Sequence, residues 1–435
     1  MSPRRILSLS CSLFFLIALA RADPQPGDTY REYGWVPAGK GARARWERIT
    51  GPDATNARAR RFLPNPVNRI DIADLEGAIR AELQLELLQT HVGTIGQAFR
   101  LNGGEWHAIP PSPNIPGTIG TDKEGDPHHW QSMRYPSVPV PLAALHVGGN
   151  TLEFTCKAGF GLGKNWPQSL VNGALLRVYY GAGKTTITGQ IEASGPSDPA
   201  TAGVRLRFIP EPASANAVVR VDFIGHYRGF DWRGEGRYES WHYNYRRGEL
   251  AHHLGSAWQA PWAADWDTTW LPVQPEPVAI AARVTDATGL HHLTASFTLD
   301  DPRQPANEKV ELLEPHAVPP KWHTRAGRRQ SCKVRFPDDL SGLREVRVLL
   351  TTWNGHAADA IGINDCVIAG NVGRNHDLSY DVLTVPLGAV RPGENEFFTF
   401  SDEKEGHGIE VQWPGFVVLA RFATGTGESE STAGQ

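Results

Sequence analysis

The chain has 435 residues with a formal net charge of −4, and it contains 45 Gly, 33 Pro and only 2 Met. The slight acidity argues against nucleic acid and anionic membrane surfaces as partners, because both favour basic patches. The length predicts several domains, and the Gly and Pro content predicts many turns between short strands rather than long helices.

The first 22 residues are typical of a secretory signal peptide. Arg4 and Arg5 carry positive charge, and an apolar run over residues 6–19 leads to the small residues Ala20 and Ala22, after either of which cleavage fits. The run is too short for a transmembrane helix, and no later segment approaches the ~18–20 apolar residues that such a helix requires. We therefore expect a secreted or periplasmic protein without a membrane span.

Three cysteines remain after removal of this peptide, namely Cys156, Cys332 and Cys366. An odd number cannot all pair within one chain, so at most one disulfide forms, with Cys332 and Cys366 as the pair considered. The spacing of the cysteines does not resemble a zinc site. We therefore expect hydrophobic cores, rather than cross-links, to stabilise the fold.

Two distant segments share one pattern. Residues 140–154 and 385–399 both read V-P-L-x-A-[LV]-x-x-G-x-N and then alternate as a strand does. Each segment follows a turn asparagine, Asn102 in one case and Asn364 in the other, and each precedes a closing apolar strand. This matching order predicts two copies of one domain.

The repeat also decides how residues 73–89 fold. They are rich in Ala, Glu and Leu, a composition that favours a helix. The repeat aligns them with residues 345–352, whose period-two alternation and β-branched side chains predict a strand. Because one fold cannot use a helix in one copy and a core strand in the other, we predict a strand over 82–89.

A third unit lies between the two copies. Residues 204–208, 218–223 and 278–284 alternate as half-buried strands do, and turn-forming residues separate them at the spacing of a β-sandwich. Residues 301–307 are predicted to be a linker. The last segment, 425–435, is rich in Gly, Ser, Thr and Glu and is predicted to be disordered.

The middle unit resembles bacterial immunoglobulin-like domains of secreted polysaccharide-degrading proteins, through residues 219–225, 266–269 and 280–289. The flanking copies resemble galactose-binding-type jelly rolls, through Asn102, Asn364 and the V-P-L segment that follows each. These resemblances imply an all-β chain with three β-sandwich domains after a signal peptide. The implied divisions are a signal peptide 1–22, a jelly roll 23–182, an Ig-like sandwich 183–302, a second jelly roll 303–424 and a tail 425–435.

An aromatic-rich stretch over residues 232–270 contains six tryptophans and three tyrosines. Flat indole faces stack on pyranose rings, and a histidine among them can hydrogen-bond hydroxyl groups, so Trp232 and His242 are candidate sugar-binding residues. The alternative is that these aromatics fill the sandwich core, as we expect for Trp266, or the contacts between domains.

The first copy carries an insertion between residues 102 and 140 that the second copy lacks. It contains the candidate ligand-binding residues Trp106, His107, His129 and Trp130. Loops at the ends of a rigid sandwich are a common place for function. The alternative is a solvated loop that packs on a neighbouring domain.

The same insertion suggests a calcium ion. Asp122, Glu124 and Asp126 alternate along the chain and supply oxygen ligands, although the rest of an EF-hand loop is missing. No other cofactor is expected.

The second copy has a comparable set of candidate residues in its strand-end loops, namely Trp353, His356, Arg374 and His376. An indole for stacking, with imidazole and guanidinium groups for hydroxyl recognition, suits a saccharide. The alternative is an ordinary turn with one exposed aromatic.

Three functional hypotheses follow from these patterns. The leading one is a secreted carbohydrate-binding or adhesion-type protein without catalytic activity, whose partner is a poly- or oligosaccharide. The second is a polysaccharide-active enzyme, a lyase or glycosidase, with its site in residues 226–270, where His242 and Tyr243 or Tyr245 would act as general base and acid. The third is a structural scaffold of a cell-surface complex, whose partners are proteins.

Overall fold

The computed structural model describes residues 23–38, 45–111, 124, 133–184, 187–195, 202–212, 217–300, 302 and 307–424. The predicted signal peptide and tail lie outside these residues. The described chain is built from antiparallel sheets, which confirms the predicted all-β, multi-sandwich fold class. Its one α-helix is the four-residue Ala57–Arg60, and no described helix is long and apolar enough to cross a membrane.

The strands are numbered in chain order. The first sandwich, within residues 23–184, contains β1 Thr29–Trp35, β2 Glu47–Thr50, β3 Val67–Ile72, β4 Ala78–Thr90, β5 Thr94–Leu101, β6 His107–Ala108, β7 Ser137–Val140, β8 Gly148–Ala158 and β9 Gln168–Tyr180. The middle sandwich, within residues 187–300, contains β10 Gly189–Ser194, β11 Gly203–Pro210, β12 Val218–Arg228, β13 Glu239–His242, β14 Asn244–Arg246, β15 Glu249–Ala251, β16 Gly255–Ala257, β17 Ala263–Asp267, β18 Val278–Asp286, β19 Leu290–Leu293 and β20 Phe297–Leu299. The third sandwich, within residues 307–424, contains β21 Glu308–Leu313, β22 Pro315–His316, β23 His323–Thr324, β24 Arg328–Phe336, β25 Leu343–Trp353, β26 Ala360–Ile363, β27 Cys366–Ala369, β28 Leu378–Val385, β29 Gly393–Ser401, β30 Ile409–Val411 and β31 Val417–Ala423. Single 3-10 turns lie at Leu142–Ala144, Gly161–Lys164, Gly355–Ala357 and Leu387–Ala389.

Each sandwich encloses its own hydrophobic core. In the first, β4 and β9 face β5 and β8 across a cluster that includes Leu83, Leu176, Phe99 and Phe154. In the middle one, β11 and β17 face β12 and β18, and Trp266 is buried between them, which confirms its predicted core position. In the third, β25 and β31 face β24 and β29. Alternating side chains that point to one face of each sheet produce these cores.

The first and middle sandwiches share one sheet, which sequence patterns did not indicate. Strand β1 pairs with β9 along its whole length and also with β19, where Tyr30 lies opposite His291. The result is a sheet of eleven described strands that runs through both sandwiches. Backbone hydrogen bonds, and not a linker alone, therefore hold these two parts together.

Aromatic clusters fill the contacts between the sandwiches. The cluster between the first and middle sandwiches contains Tyr30, Leu175, Tyr179, Ile224, Tyr243, Tyr245, Ala281 and Leu293. The cluster between the first and third contains Leu88, Met133, Tyr135, Leu170, Trp353 and Leu378. The cluster between the middle and third contains Phe230, Tyr238, Val310, Leu312, Val417 and Leu419. Each sandwich therefore packs on both of the others.

The two segments that share the V-P-L pattern make the same hydrogen bonds. Asn102 and Asn364 both have φ 52°, and each donates from Nδ2 to the side-chain oxygen of a second asparagine, Asn150 at 2.8 Å and Asn395 at 2.9 Å. Each second asparagine accepts from the backbone N–H four residues before it and donates to the carbonyl of that residue. The left-handed backbone at the first asparagine is one that Asn tolerates better than most residues.

The structure also tests the predicted strand over residues 82–89 and the disulfide considered between Cys332 and Cys366. Residues 82–89 lie within the strand Ala78–Thr90, so the strand prediction is confirmed in spite of the helical composition. The disulfide considered between Cys332 and Cys366 is absent, because Cys156, Cys332 and Cys366 are all free thiols. Cys332 and Cys156 are buried as small apolar side chains in their respective cores.

Candidate functional site

A cleft of about 280 Å³ opens where the first sandwich meets the third. We call it the aromatic cleft. The first sandwich contributes Trp46, Arg48, His91, Val92, Leu162, Trp166, Gln168 and Leu170, and the third contributes Lys321, His323, Trp353, His376, His407 and Glu410. Three indoles and a set of cationic and hydrogen-bonding side chains thus share one concave surface, which is the usual composition of a ligand site.

Strand pairing places the side chains of the first wall. Strand β2 pairs with the start of β9, with Arg48 opposite Leu170. Trp46 lies two residues before Arg48, just ahead of β2, and Trp166 lies two residues before Gln168, just ahead of β9. The guanidinium carbon of Arg48 lies 5.4 Å from the ring of Trp46 and 5.6 Å from that of Trp166. These are cation–π distances.

The same wall carries buried polar atoms that have no hydrogen-bond partner among the described residues. They are Trp46 Nε1, Arg48 Nε, Trp166 Nε1 and Gln168 Oε1. Buried polar groups are nearly always hydrogen-bonded, since leaving one unpaired costs about 1–3 kcal/mol. Three donors and one acceptor at the edge of a cavity therefore indicate a polar ligand or bound water.

The wall from the third sandwich places a carboxylate between an imidazole and an indole. Glu410 in β30 lies opposite His323 of β23 on one side and opposite Trp353 of β25 on the other. Ligand atoms of His323, His407 and Glu410 all lie within 4.8 Å of one another. This is a constellation able to hold a metal ion.

Burial shifts the titration of these groups. Desolvation raises the pKa of Glu410 well above its ordinary value, although Lys321 acts in the opposite direction. Burial, together with the positive charge of Lys321, lowers the pKa of His323 to about 4. Burial likewise lowers the pKa of His91 to about 4 and also lowers that of His407. The imidazoles of His91, His323 and His407 are therefore neutral near pH 7.

A second cavity of about 830 Å³ adjoins the cleft, and His376 and His407 line both. His356, Asp359 and the loop 402–407 are also among its lining residues. Asn354 holds the two loops together, because its Nδ2 donates to the carbonyl of His407 and its Oδ1 accepts from the backbone N–H of His376 at 2.9 Å.

The structure brings together three of the four residues predicted in the second copy. Trp353 and His376 line the aromatic cleft, and His356 and His376 line the adjoining cavity. Trp353 is only 3% exposed, so most of its indole packs in the cluster between the first and third sandwiches. Arg374 is exposed in the loop before His376 and is not among the residues that line either cavity.

The candidates in the aromatic-rich stretch lie inside the molecule. Trp232 stacks on His252 with ring centroids 3.6 Å apart and contacts Tyr380 of the third sandwich edge to face. His242 is 1% exposed, and its Nε2 donates to the carbonyl of Tyr227 at 2.8 Å. Tyr243 and Tyr245, the partners considered for His242, are buried between the first and middle sandwiches. In the structure, these residues therefore pack within the protein, as in the alternative given above for the aromatic-rich stretch.

The candidates of the insertion are only partly described. Trp106 is 44% exposed under the guanidinium of Arg100, and His107 stacks on Phe99. Neither lines the aromatic cleft. His129 and Trp130 lie outside the described residues.

The calcium suggestion falls mostly outside the described residues as well, since it rests on Asp122, Glu124 and Asp126. Only Glu124 is described, and its carboxylate accepts from the backbone N–H of Gly96 at 2.6 Å.

Sequence reasoning did not single out most of the cleft. The residues that it missed are Trp46, Arg48, His91, Trp166, Gln168, Lys321, His323, His407 and Glu410. Their chain separation left no local pattern, and the one available signal was an indole two residues before each of Arg48 and Gln168.

Another cavity, of about 620 Å³, lies between the first and middle sandwiches, and we call it the charged cavity. Glu32 is at its base and accepts from Arg177 Nε at 2.8 Å and from Tyr245 Oη at 2.7 Å, while Arg283 Nη1 donates to Asp222 at 2.8 Å. Burial by itself raises the pKa of Glu32, but Arg283 and Arg177 hold it well below its ordinary value. The charges are mutually paired, as in a structural network.

No family model matches the chain, and no curated protein matches it. Among solved structures, it is similar to a β-porphyranase of glycoside hydrolase family 86 from the human gut bacterium Bacteroides plebeius, at 11% identity and a TM-score of 0.21 over 55% of this chain and 37% of that chain. It is also similar to the protein BuGH86 in complex with neoagarooctaose, at 10% identity and a TM-score of 0.21 over 55% of this chain and 34% of that chain. The chain spans about a third of the length of these proteins.

Proposed function

We propose that this chain is a carbohydrate-binding protein that holds a saccharide in the aromatic cleft. The observation that carries the proposal is that Trp46, Arg48, Trp166 and Gln168 line one cleft and that each carries a buried polar atom without a partner among the described residues. A sugar ring offers both an apolar face and a rim of hydroxyl groups, each of which donates and accepts hydrogen bonds. It therefore suits a surface that combines aromatic faces with hydrogen-bonding side chains such as Arg48 and Gln168.

The rest of the cleft suits the same ligand class. Neutral imidazoles such as His91 present one donor and one acceptor nitrogen, which matches a hydroxyl group. The size of the cleft and its adjoining cavity, about 280 and 830 Å³, accommodates more than one sugar ring and favours an oligosaccharide or a chain segment. In this proposal, the protein acts outside the cytoplasm, and jelly-roll and Ig-like sandwiches form the rigid frame of the cleft.

The test is binding of the purified chain to a broad polysaccharide panel, with affinity measured by calorimetry for any polymer retained. We expect Trp166→Ala to weaken binding by about tenfold, equivalent to about 1.4 kcal/mol, because one stacking face and one donor are lost. Trp106→Ala is the matched control, since that indole is exposed and lies outside the cleft.

Two results would overturn the proposal. The first is a lack of binding to any polymer of the panel, neutral or charged. The second is a loss of affinity in Trp106→Ala and not in Trp166→Ala, which would move the site to the insertion. Assay of the same polymers for depolymerisation tests the enzyme hypothesis, and formation of products would replace simple binding as the function.

A further inference from the structure

The wall of the aromatic cleft that belongs to the third sandwich contains two imidazoles and one carboxylate at close range. His323 and Glu410 lie directly opposite each other in the antiparallel pair of β23 and β30. His407 comes three residues before Glu410, and ligand atoms of all three lie within 4.8 Å of one another. Two segments of the chain, β23 and the loop that leads into β30, therefore converge on one point.

We propose that His323, His407 and Glu410 form a binding site for a zinc-class divalent ion. Two histidines and one glutamate are a ligand set that binds Zn²⁺ with three protein atoms and leaves a fourth position open. Calcium takes about six to eight oxygen ligands, and magnesium keeps an octahedron of oxygens, so this set does not suit either ion. The site is thus distinct from the calcium suggestion for the insertion.

The local backbone holds the ligands in place. A Cβ at Gly408 would lie 1.9 Å from the carbonyl oxygen of Thr324, so glycine permits the loop to approach β23 and carries His407 beside His323. The carbonyl of His407 accepts a hydrogen bond from Asn354 Nδ2, which fixes the backbone of this ligand. Such supporting contacts orient metal ligands and set their affinity.

The open position faces the cleft, because all three residues line it together with Trp353. If the proposed function is correct, a saccharide hydroxyl fills this position and the metal becomes part of the sugar site. This second step rests on the proposed function, whereas binding of the metal alone does not.

The charge of Lys321 offers a second test of the metal site. It also lines the cleft, and its positive charge acts on Glu410. A divalent ion at Glu410 is repelled by this ammonium group, so removal of the charge is expected to strengthen metal binding.

The experiment uses the full mature chain, stripped with chelator and titrated with zinc chloride in the absence of sugar. We expect one ion for each chain, and we expect His407→Ala to weaken binding by about tenfold or more, since even loss of a supporting contact costs that much. His407 is exposed, so this variant is expected to fold, and a thermal melt checks it. His316→Ala is the matched control, because His316 is also exposed and pairs with Glu394 away from the cleft.

Lys321→Ala is expected to bind zinc more tightly than the wild type. Equal zinc affinity in the wild type and His407→Ala, or a lack of saturable binding, would overturn the metal site. A chain that binds zinc but no saccharide would retain this site and contradict the proposed function. If the chain binds both zinc and a saccharide, and chelator leaves the saccharide affinity unchanged, the metal site stands. The proposed contact between the metal and the sugar is then wrong.

Discussion

The charged cavity and the aromatic cleft lie at two junctions of the first sandwich, and they differ in how far their buried polar groups are paired. In the charged cavity, Glu32 and Arg177 are almost fully buried and each is paired with an opposite charge. In the aromatic cleft, Trp166 Nε1 and Gln168 Oε1 are buried without a partner among the described residues. Paired charges stabilise a junction without any ligand, whereas unpaired polar atoms cost free energy until a ligand binds. The difference is one of degree, because Arg283 Nε and His253 Nδ1 in the lining of the charged cavity are also buried without a partner among the described residues.

The largest expected effect comes from breaking the charged network with Arg177→Met. The change removes the closest counter-charge of buried Glu82 and one of the two guanidinium partners of buried Glu32, so we expect the free energy of unfolding to fall by about 3–5 kcal/mol. Urea unfolding near neutral pH measures it. Arg69→Met is the control, because the Arg69–Asp71 pair is exposed to solvent and its loss is expected to leave stability unchanged. A similar result for both variants would contradict the structural role of the network.

The second prediction concerns how the free energy of unfolding depends on pH through His291. Burial and the charge of Arg283 lower the pKa of His291 to about 3, although Glu32 opposes the shift, and Arg177 and Arg220 add to it. The unfolded chain takes up a proton on this residue near pH 6.5 while the folded chain does not, so stability is lost as the pH falls below that value. The contribution is up to about 1.4 kcal/mol for each pH unit.

His291→Gln should remove this contribution. We therefore expect the unfolding free energy of the variant to depend less steeply on pH between about 6.5 and 4 than that of the wild type. Urea unfolding across this range gives both slopes. Parallel slopes would mean that His291 is protonated in the folded charged cavity.

The smallest effect is also the sharpest test of the comparison, because it uses two glutamines that are each 5% exposed. Gln84 Oε1 accepts from Arg177 Nη2 at 2.9 Å, whereas Gln168 Oε1 has no partner among the described residues. We expect Gln84→Leu to lower the unfolding free energy by about 1–3 kcal/mol and Gln168→Leu to leave it unchanged or raise it by about 1 kcal/mol.

Affinity for a saccharide should distinguish the two variants the other way round. We expect it to fall in Gln168→Leu and to stay unchanged in Gln84→Leu. Urea unfolding and calorimetry of the two purified variants measure both quantities. Equal destabilisation by the two substitutions would show that Gln168 is satisfied within the fold, and the cleft would lose one of the atoms that indicate a ligand.

Much of the fold could be predicted from local patterns. Alternating side chains predicted several of the strands, and the strand predicted over residues 82–89 in spite of their helical composition lies in β4. The asparagine turns were marked by Asn102 and Asn364, whose hydrogen bonds to Asn150 and Asn395 are local to one edge of each sandwich. These features depend on neighbours in sequence or on one strand pair, and such short-range physics leaves a signature in the chain.

The candidate site could be predicted only in part. Trp353, His356 and His376 were recognised because they cluster in adjacent strand-end loops. Trp232 was selected by the same aromatic signal, but its ring packs on His252 instead. Aromatic side chains suit both a sugar site and a protein junction, so composition alone does not distinguish the two.

The sequence by itself therefore determined the strand content and the boundaries of repeating patterns, since alternation and turn chemistry are written in consecutive residues. Only the tertiary structure decided that β1 joins two sandwiches in one sheet and that Trp166 and Glu410 line the same cleft. Those contacts join segments far apart in the chain, and they are selected by the packing of whole sandwiches on one another. Which side chains share a cleft, and which buried polar atoms remain unpaired, are properties of that packing.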